Sequence, residues 1–315
     1  MREVDAAREQ LRAVAAQLDA FVVGHAEAKR ALLLALLCRE HIYLEGPPGA
    51  AKTRMAEVAA RAAGLRFFFY QLHRDTRLSE LVGDTVLERA PLAGGGERIA
   101  QRTLPGGIAT AEVCVLDDIS RAPGEALNVL LRLLQERMLG DAPIPLLTAI
   151  ATSNPQRDEY YNEPLDPANL DRFALQLRVP GLLGADDLAP ARELVARASA
   201  GSLATDARAQ AVCDRAALDA AYAALPAVAF PRSVRDALLE VLRILRAEYG
   251  CDETNSLLTD RTFLVKAVTL LRGHAWLAGR AAVDVTDLAT LGWMTTFRVP
   301  SEAHEKVDEV IARAS

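Results

Sequence analysis

The sequence predicts an α/β core with a parallel sheet, followed by an all-helical second part. Three observations carry that expectation. Short apolar, β-prone runs at 42–45, 67–70, 113–116 and 146–152 alternate with helical stretches, as in a parallel sheet covered by helices. The turn Gly46-Pro47-Pro48-Gly49-Ala50-Ala51-Lys52-Thr53 joins the first run to a helical stretch, a strand–turn–helix context. Beyond a linker at 181–187 the composition turns almost wholly helical. The expected division is a core over 1–182 and a helical lid over 183–315.

Taken in order, 1–20 form a helix with Val4, Leu11, Val14, Ala15 and Leu18 at helical spacing. Phe21-Val22-Val23-Gly24-His25 breaks it, and a second helix covers 26–38. After the strand at 42–45 and the glycine-rich turn comes a helix at 54–63, then a strand at 67–70. Residues 78–82 form a short helix closed by Gly83. Two weakly β-prone segments within 84–104 flank Pro91-Leu92-Ala93-Gly94-Gly95-Gly96 and suggest a hairpin. The run 113–116 then delivers Asp117 and Asp118 at the carboxyl end of a buried strand.

The helix at 124–138 carries Leu127, Leu130, Leu131, Leu134 and Met138 on one face, and a turn follows at Gly140-Asp141. The strand 146–152 ends at Ser153-Asn154-Pro155. Leu170-Asp171-Arg172-Phe173 precedes a final strand at 174–179. Helices are expected at 187–200, 206–213, 216–224, 233–248, 262–279 and 286–297, with Ser233 as a cap.

The 315 residues suffice for two compact domains. Hydrophobic residues make up 51% and aromatics 5%, so the core must be built mainly from Ala, Leu and Val, which favours helices. The net charge of −6 and the pI near 5.5 argue against a nucleic-acid-binding face. Cys38, Cys114, Cys213 and Cys251 form no C-x-x-C pair and suit buried thiols of a reducing cytosol. The start Met1-Arg2-Glu3-Val4-Asp5 is charged, unlike a signal peptide, and the longest apolar run, 31–38, is too short to span a membrane. The expectation is a soluble, cytoplasmic protein.

Chemistry concentrates at the carboxyl ends of the strands. Successive N–H groups of Gly46, Gly49, Ala50 and Ala51 can cradle anionic oxygens, with Pro47 and Pro48 shaping the turn. The helix beginning near Lys52 and Arg54 adds its positive end. Lys52 can reach the β- and γ-phosphates of a nucleotide, and Thr53 can offer a hydroxyl to Mg²⁺. Ala51 stands where the common pattern has Gly. Its methyl is tolerable on helical backbone and costly at positive φ. Asp117 would order the metal-bound shell, and Asp118 would polarise an attacking water. Asn154 could hold that water, although Asn-Pro is by itself a turn signal. Val22, Val23 and Gly24 are candidate contacts for a base, with a plain helix–turn–helix as the alternative.

Together these segments resemble the MoxR-type AAA+ ATPases, with most likeness to the RavA-like members. The carriers are Val22-Val23-Gly24-His25, the loop 46–53, Leu116-Asp117-Asp118-Ile119-Ser120-Arg121-Ala122, Ala151-Thr152-Ser153-Asn154-Pro155 and Leu170-Asp171-Arg172-Phe173. In the second part they are Thr259-Asp260-Arg261-Thr262 and Ala278-Gly279-Arg280-Ala281. The resemblance implies a P-loop NTPase (AAA+) core with a helical lid, and ATP and Mg²⁺ as cofactors. Lys52 and Thr53 then resemble the Walker A pair, and Asp117 and Asp118 the Walker B acids. Asn154 resembles the sensor of the lytic water. Arg172 resembles an arginine finger reaching a neighbouring subunit, and Arg261 a lid sensor arginine, with Arg232 as the alternative. The hairpin at 84–104 resembles the family's insertion in the second helix of the core, and Ala before Lys52 is usual in the family.

Two positions depart from the pattern: Asp118 stands at the usual Glu, and Ser120 where Asn is common. The shorter acid implies intact ATP binding with slow hydrolysis. The resemblance further implies a ring, six-membered by likeness, that remodels or matures a client protein complex with a separate von Willebrand factor A domain partner. A nucleic-acid motor and a nucleotide-gated scaffold are the alternatives.

Overall fold

The computed structural model describes residues 2–91, 97–155, 165–183, 188–203, 208–256, 258 and 261–314. The hairpin tip 92–96, linker residues Asp186 and Asp187, and Thr259 and Asp260 of the second-part motif lie outside them.

Helices α1 (Arg2–Phe21) and α2 (Ala26–Cys38) precede strand β1 (Ile42–Glu45), helix α3 (Lys52–Ala62) and strand β2 (Phe67–Gln71). A short helix, α4 (Leu78–Val82), opens the antiparallel ribbon β3 (Gly83–Pro91) and β4 (Glu97–Pro105), in the expected place. Strand β5 (Val113–Asp117), helix α5 (Gly124–Glu136), the small hairpin β6 (Met138–Leu139) and β7 (Ala142–Pro143), and strand β8 (Thr148–Ser153) follow. The turn helix α6 (Pro167–Leu170) and strand β9 (Leu175–Arg178) complete the core.

The main sheet has five parallel strands in the order β2-β5-β8-β1-β9. Its strands are apolar on both sides, as burial on both faces requires. Ile42, Leu44, Val113, Val115, Ile150, Leu175 and Leu177 point to one core with α1, α2 and α3. Tyr43, Cys114, Leu116, Ala149 and Ala151 point to the other, with the leucines of α5. All four cysteines are buried free thiols.

The C-terminal region is helical: α7 (Ala189–Ser199), α8 (Arg215–Ala224), α9 (Arg232–Tyr249), α10 (Arg261–Leu277), α11 (Thr290–Thr295), α12 (Ser301–His304) and α13 (Val307–Ala314). It packs on the core through α8 against α1 and α10 against α2. Among the described residues no helix is long and apolar enough to cross a membrane.

Three expectations are corrected here. The described residues 208–213 of the expected helix 206–213 are irregular. There Val212 and Cys213 donate their backbone N–H groups to Ala62 O at 3.0 and 3.1 Å, serving an orphan carbonyl at the end of α3. Ser233 is not a cap. Pro231 occupies the cap position and α9 begins at Arg232, with no side-chain capping bond. The helix expected at 286–297 is a 3₁₀ turn, Val285–Ala289, continued by α11, and the two short helices after Pro300 were not expected.

Candidate nucleotide site

Strand register builds the site. Glu45 lies opposite Ser153 across β1 and β8, and Leu116 opposite Ala151 across β5 and β8. The carboxyl ends are therefore level, and the loop after β1 meets Asp117 and Thr152 at one edge. A cleft of about 370 Å³ opens there, lined by Pro48 to Arg54, Asp117, Asp118, Thr152 and Asn154.

The loop is fixed at its root. Gly46 N–H donates to Ser153 O at 3.1 Å. A Cβ at Gly46 would lie 2.2 Å from Val179 O, so no larger residue fits. Gly49 and Ala51 both adopt positive φ, 83° and 57°. The methyl of Ala51 therefore sits in the costly conformation, worth about 1–2 kcal/mol. Ala51 is also the N-cap of α3 and has no side-chain capping bond. The first N–H groups of that helix are left to whatever enters the cleft.

Lys52 is buried, 7% exposed. Its Nζ donates to Gly46 O at 2.6 Å, Pro47 O at 3.0 Å and Asn154 Oδ1 at 3.3 Å. Burial lowers its pKa, while Asp118, Asp117 and Glu45 oppose that shift. Thr53 Oγ1 and Thr152 Oγ1 both donate to Asp117 Oδ1, at 2.6 and 2.5 Å. Asn154 Nδ2 donates to Asp118 Oδ1 at 3.0 Å, and Arg121 Nε stands 3.6 Å from Asp118 Oδ2. Asp118 itself has φ 53°, a left-handed conformation that aspartate tolerates better than most residues. Hydroxyl and carboxylate oxygens at Thr53 and Asp117 are the donor chemistry that Mg²⁺ prefers.

The structure brings together Lys52, Thr53, Asp117, Asp118 and Asn154. Arg54 also lines the cleft; its guanidinium lies 5.3 Å from the Phe21 ring centroid, with Glu57 3.7 Å away. Val22 and Val23 are buried but do not line the cleft. A Cβ on Gly24 would meet Leu182 Cδ2 at 2.8 Å and Pro190 Cβ at 3.2 Å, so this turn abuts the start of the helical region. Arg172 and Arg261 lie outside the cleft lining. Arg261 is exposed at the first turn of α10. Arg232 is exposed too, 3.5 Å from Asp236.

Thr152, which the sequence places in a strand and in the 151–155 motif without a role of its own, holds Asp117 and accepts from Asp118 N–H at 3.3 Å. Its position at the end of a strand beside Asn154 was the available signal.

Residues 41–173 match the profile of the AAA domain (dynein-related subfamily). Over 168 residues, 52% of this chain and 42% of the relative, the chain is 30% identical to the chaperone MoxR1 of Mycobacterium tuberculosis. It is 29% identical to the protein MoxR of Paracoccus denitrificans over 191 residues, 56% of this chain and 52% of that one. Residues 41–173 are thus similar to an AAA domain, and MoxR proteins are among the relatives that share this likeness. The chain spans about half the length of these relatives. A crystal structure of a protein from Cytophaga hutchinsonii superposes with a TM-score of 0.73, covering 99% of this chain and 95% of that one at 20% identity, so the whole fold is shared. The cleft at the glycine-rich loop lies wholly within the matched residues.

Proposed function

We propose that this chain hydrolyses Mg·ATP and uses the cycle to remodel a partner protein. The carrying observation is that Lys52, Thr53, Asp117, Asp118 and Asn154 meet at one cleft, although 102 positions separate the outermost pair. Lys52 would hold the β- and γ-phosphates once its bonds to Gly46 and Pro47 are exchanged. Thr53 and Asp117 would hold magnesium, which supplies neutralising charge during phosphoryl transfer. Asp118 and Asn154, already hydrogen bonded, would orient the attacking water between them. The turn Val22-Val23-Gly24 would take the base, between the core of 1–182 and the lid of 183–315.

The site is completed in trans in this reading. Arg172 lies outside its own cleft and would reach the next subunit's γ-phosphate, with Arg261 as lid sensor. A heterologous contact of this kind closes into a ring, six-membered by likeness to RavA-like members. The chaperone activity of a relative supports protein remodelling, with a separate von Willebrand factor A domain protein as adaptor.

The test is nucleotide binding by calorimetry alongside steady-state phosphate release. Lys52→Ala should abolish both. Unchanged affinity for ATP in that variant would remove the reading.

A nucleotide-gated scaffold with weak turnover is the second reading, and the short Asp118 favours it. A carboxylate misplaced by about 1 Å can cost roughly a hundredfold in rate. Asp118→Glu should raise turnover at unchanged ATP affinity, and an unchanged or lower rate would count against the short acid as the cause of slow hydrolysis.

A further inference from the structure

The turn that carries Arg172 is held by a residue from the far end of the chain. Arg298, 2% exposed, lies just beyond α11. Its Nε donates to Asp171 Oδ1 at 2.9 Å, and Nη2 donates to the backbone oxygens of Asp171 at 3.0 Å and Phe173 at 2.9 Å. Nη1 donates to Ala174 O at 3.0 Å and Met294 O at 2.6 Å. All but the last of these acceptors fall within 171–174. A second clamp comes from Gln176, whose Nε2 donates to Leu170 O at 2.7 Å and Phe173 O at 3.1 Å. Its Oε1 accepts from Phe297 N–H at 3.2 Å, tying the same turn to the residue before Arg298. Phe173 is wholly buried against Tyr43 and His41.

Inside this clamp one side chain is left over. Among the described residues, Arg172 has no hydrogen bond or ion pair from its guanidinium, and its Nε is buried without a partner. A buried cation has to repay its desolvation, and an apolar residue of similar volume would often give equal stability. The fork of five N–H donors does something an apolar residue cannot: it fixes several carbonyls in one plane. Here those carbonyls belong to the residues flanking position 172.

We propose that Arg298 is a positioning residue that sets the bearing of Arg172, so that the helical region of one subunit aims the arginine presented to the next. This inference rests on Arg172 acting in trans, as argued above. It gives the motion of the helical region a direct route to the neighbouring site. Lys266 on α10, which stands 3.8 Å from Glu40 ahead of β1, braces the same joint.

The experiment measures ATP affinity and turnover for Arg172→Ala, Arg298→Lys and the double variant, each alone and mixed with Lys52→Ala protein. Lysine keeps the charge but not the planar fork. All three arginine variants should bind ATP with near-native affinity. Turnover should fall about 10³-fold or more for Arg172→Ala, and about a hundredfold for Arg298→Lys. The double variant should be no slower than Arg172→Ala. Lys52→Ala subunits keep both arginines, so mixing them with Arg298→Lys subunits should restore part of the lost turnover.

Equal loss of affinity and turnover, losses that multiply in the double variant, or no recovery on mixing would each overturn the proposal. Undiminished turnover in Arg172→Ala would instead sink the trans arginine itself. An impaired Arg172→Ala beside an unimpaired Arg298→Lys would remove only the role of Arg298. If Arg298→Lys does not fold, Asp171→Asn carries the same test, with native turnover overturning the proposal.

Discussion

Ala51 is the residue on which the physics of the loop can be read most directly. The sequence left two outcomes open for its methyl, helical backbone or positive φ, and the structure places it at φ 57°. Glycine adopts that conformation without the Cβ clash. Ala51→Gly is therefore expected to stabilise the protein by about 1 kcal/mol, after allowing for the added freedom of the unfolded chain. Denaturant unfolding without nucleotide checks it, and a loss of stability would show that the loop relaxes elsewhere. The side chains of the candidate site were legible for a related reason. Lys52, Thr53 and Asp117 sit at offsets fixed by backbone geometry, and those offsets are local to one turn or one strand end. Arg298 was not legible, because its meaning lies in carbonyls 127 positions away, and no local spacing encodes that meeting.

Among elements, the junction of β1, β8 and α5 depends on one neutral imidazole. His41 Nε2–H donates to Leu134 O at 2.9 Å, and Nδ1 accepts from Ala149 N–H at 3.0 Å. Burial, reinforced by Arg137, pushes its pKa down to about 3. The folded form thus binds fewer protons than the unfolded chain below about pH 6.5. Its contribution is complete above that pH and is lost progressively as pH falls toward 3. At pH 5 the loss is about 2 kcal/mol, from 1.36 kcal/mol per pH unit. His41→Asn should flatten the dependence of unfolding free energy on pH between about 6.5 and 4. An unchanged slope would assign the acid sensitivity to other groups.

Most element positions followed from pattern, since strands buried on both faces must be apolar and helices must show one apolar stripe. The failures occurred where tertiary contacts outvoted local preference. Residues 208–213 contain good helix formers, yet the backbone there serves the end of α3. The small hairpin β6–β7 was read only as a turn, because two-residue strands carry no alternation to detect.

For the whole molecule, the decisive quantity is how many subunits a working site requires. If Arg172 completes a neighbour's cleft, a monomer binds nucleotide and fails at chemistry. Turnover per subunit should then rise with protein concentration and level off once assembly is complete, while ATP affinity per subunit stays nearly constant. Concentration-independent turnover, measured beside sedimentation of the same samples, would point to a self-sufficient protomer.

The seat of α1 also has a temporal consequence. Ala7, Leu11, Val14 and Leu18 on this first helix are buried, and the helix rests on α2, α3 and α8. During synthesis α8, ending at Ala224, emerges long after α1 has left the ribosome. The opening segment must wait, its greasy stripe half-covered, until the later helix arrives to close over it. Removing the α1 segment would leave α8 without its cradle.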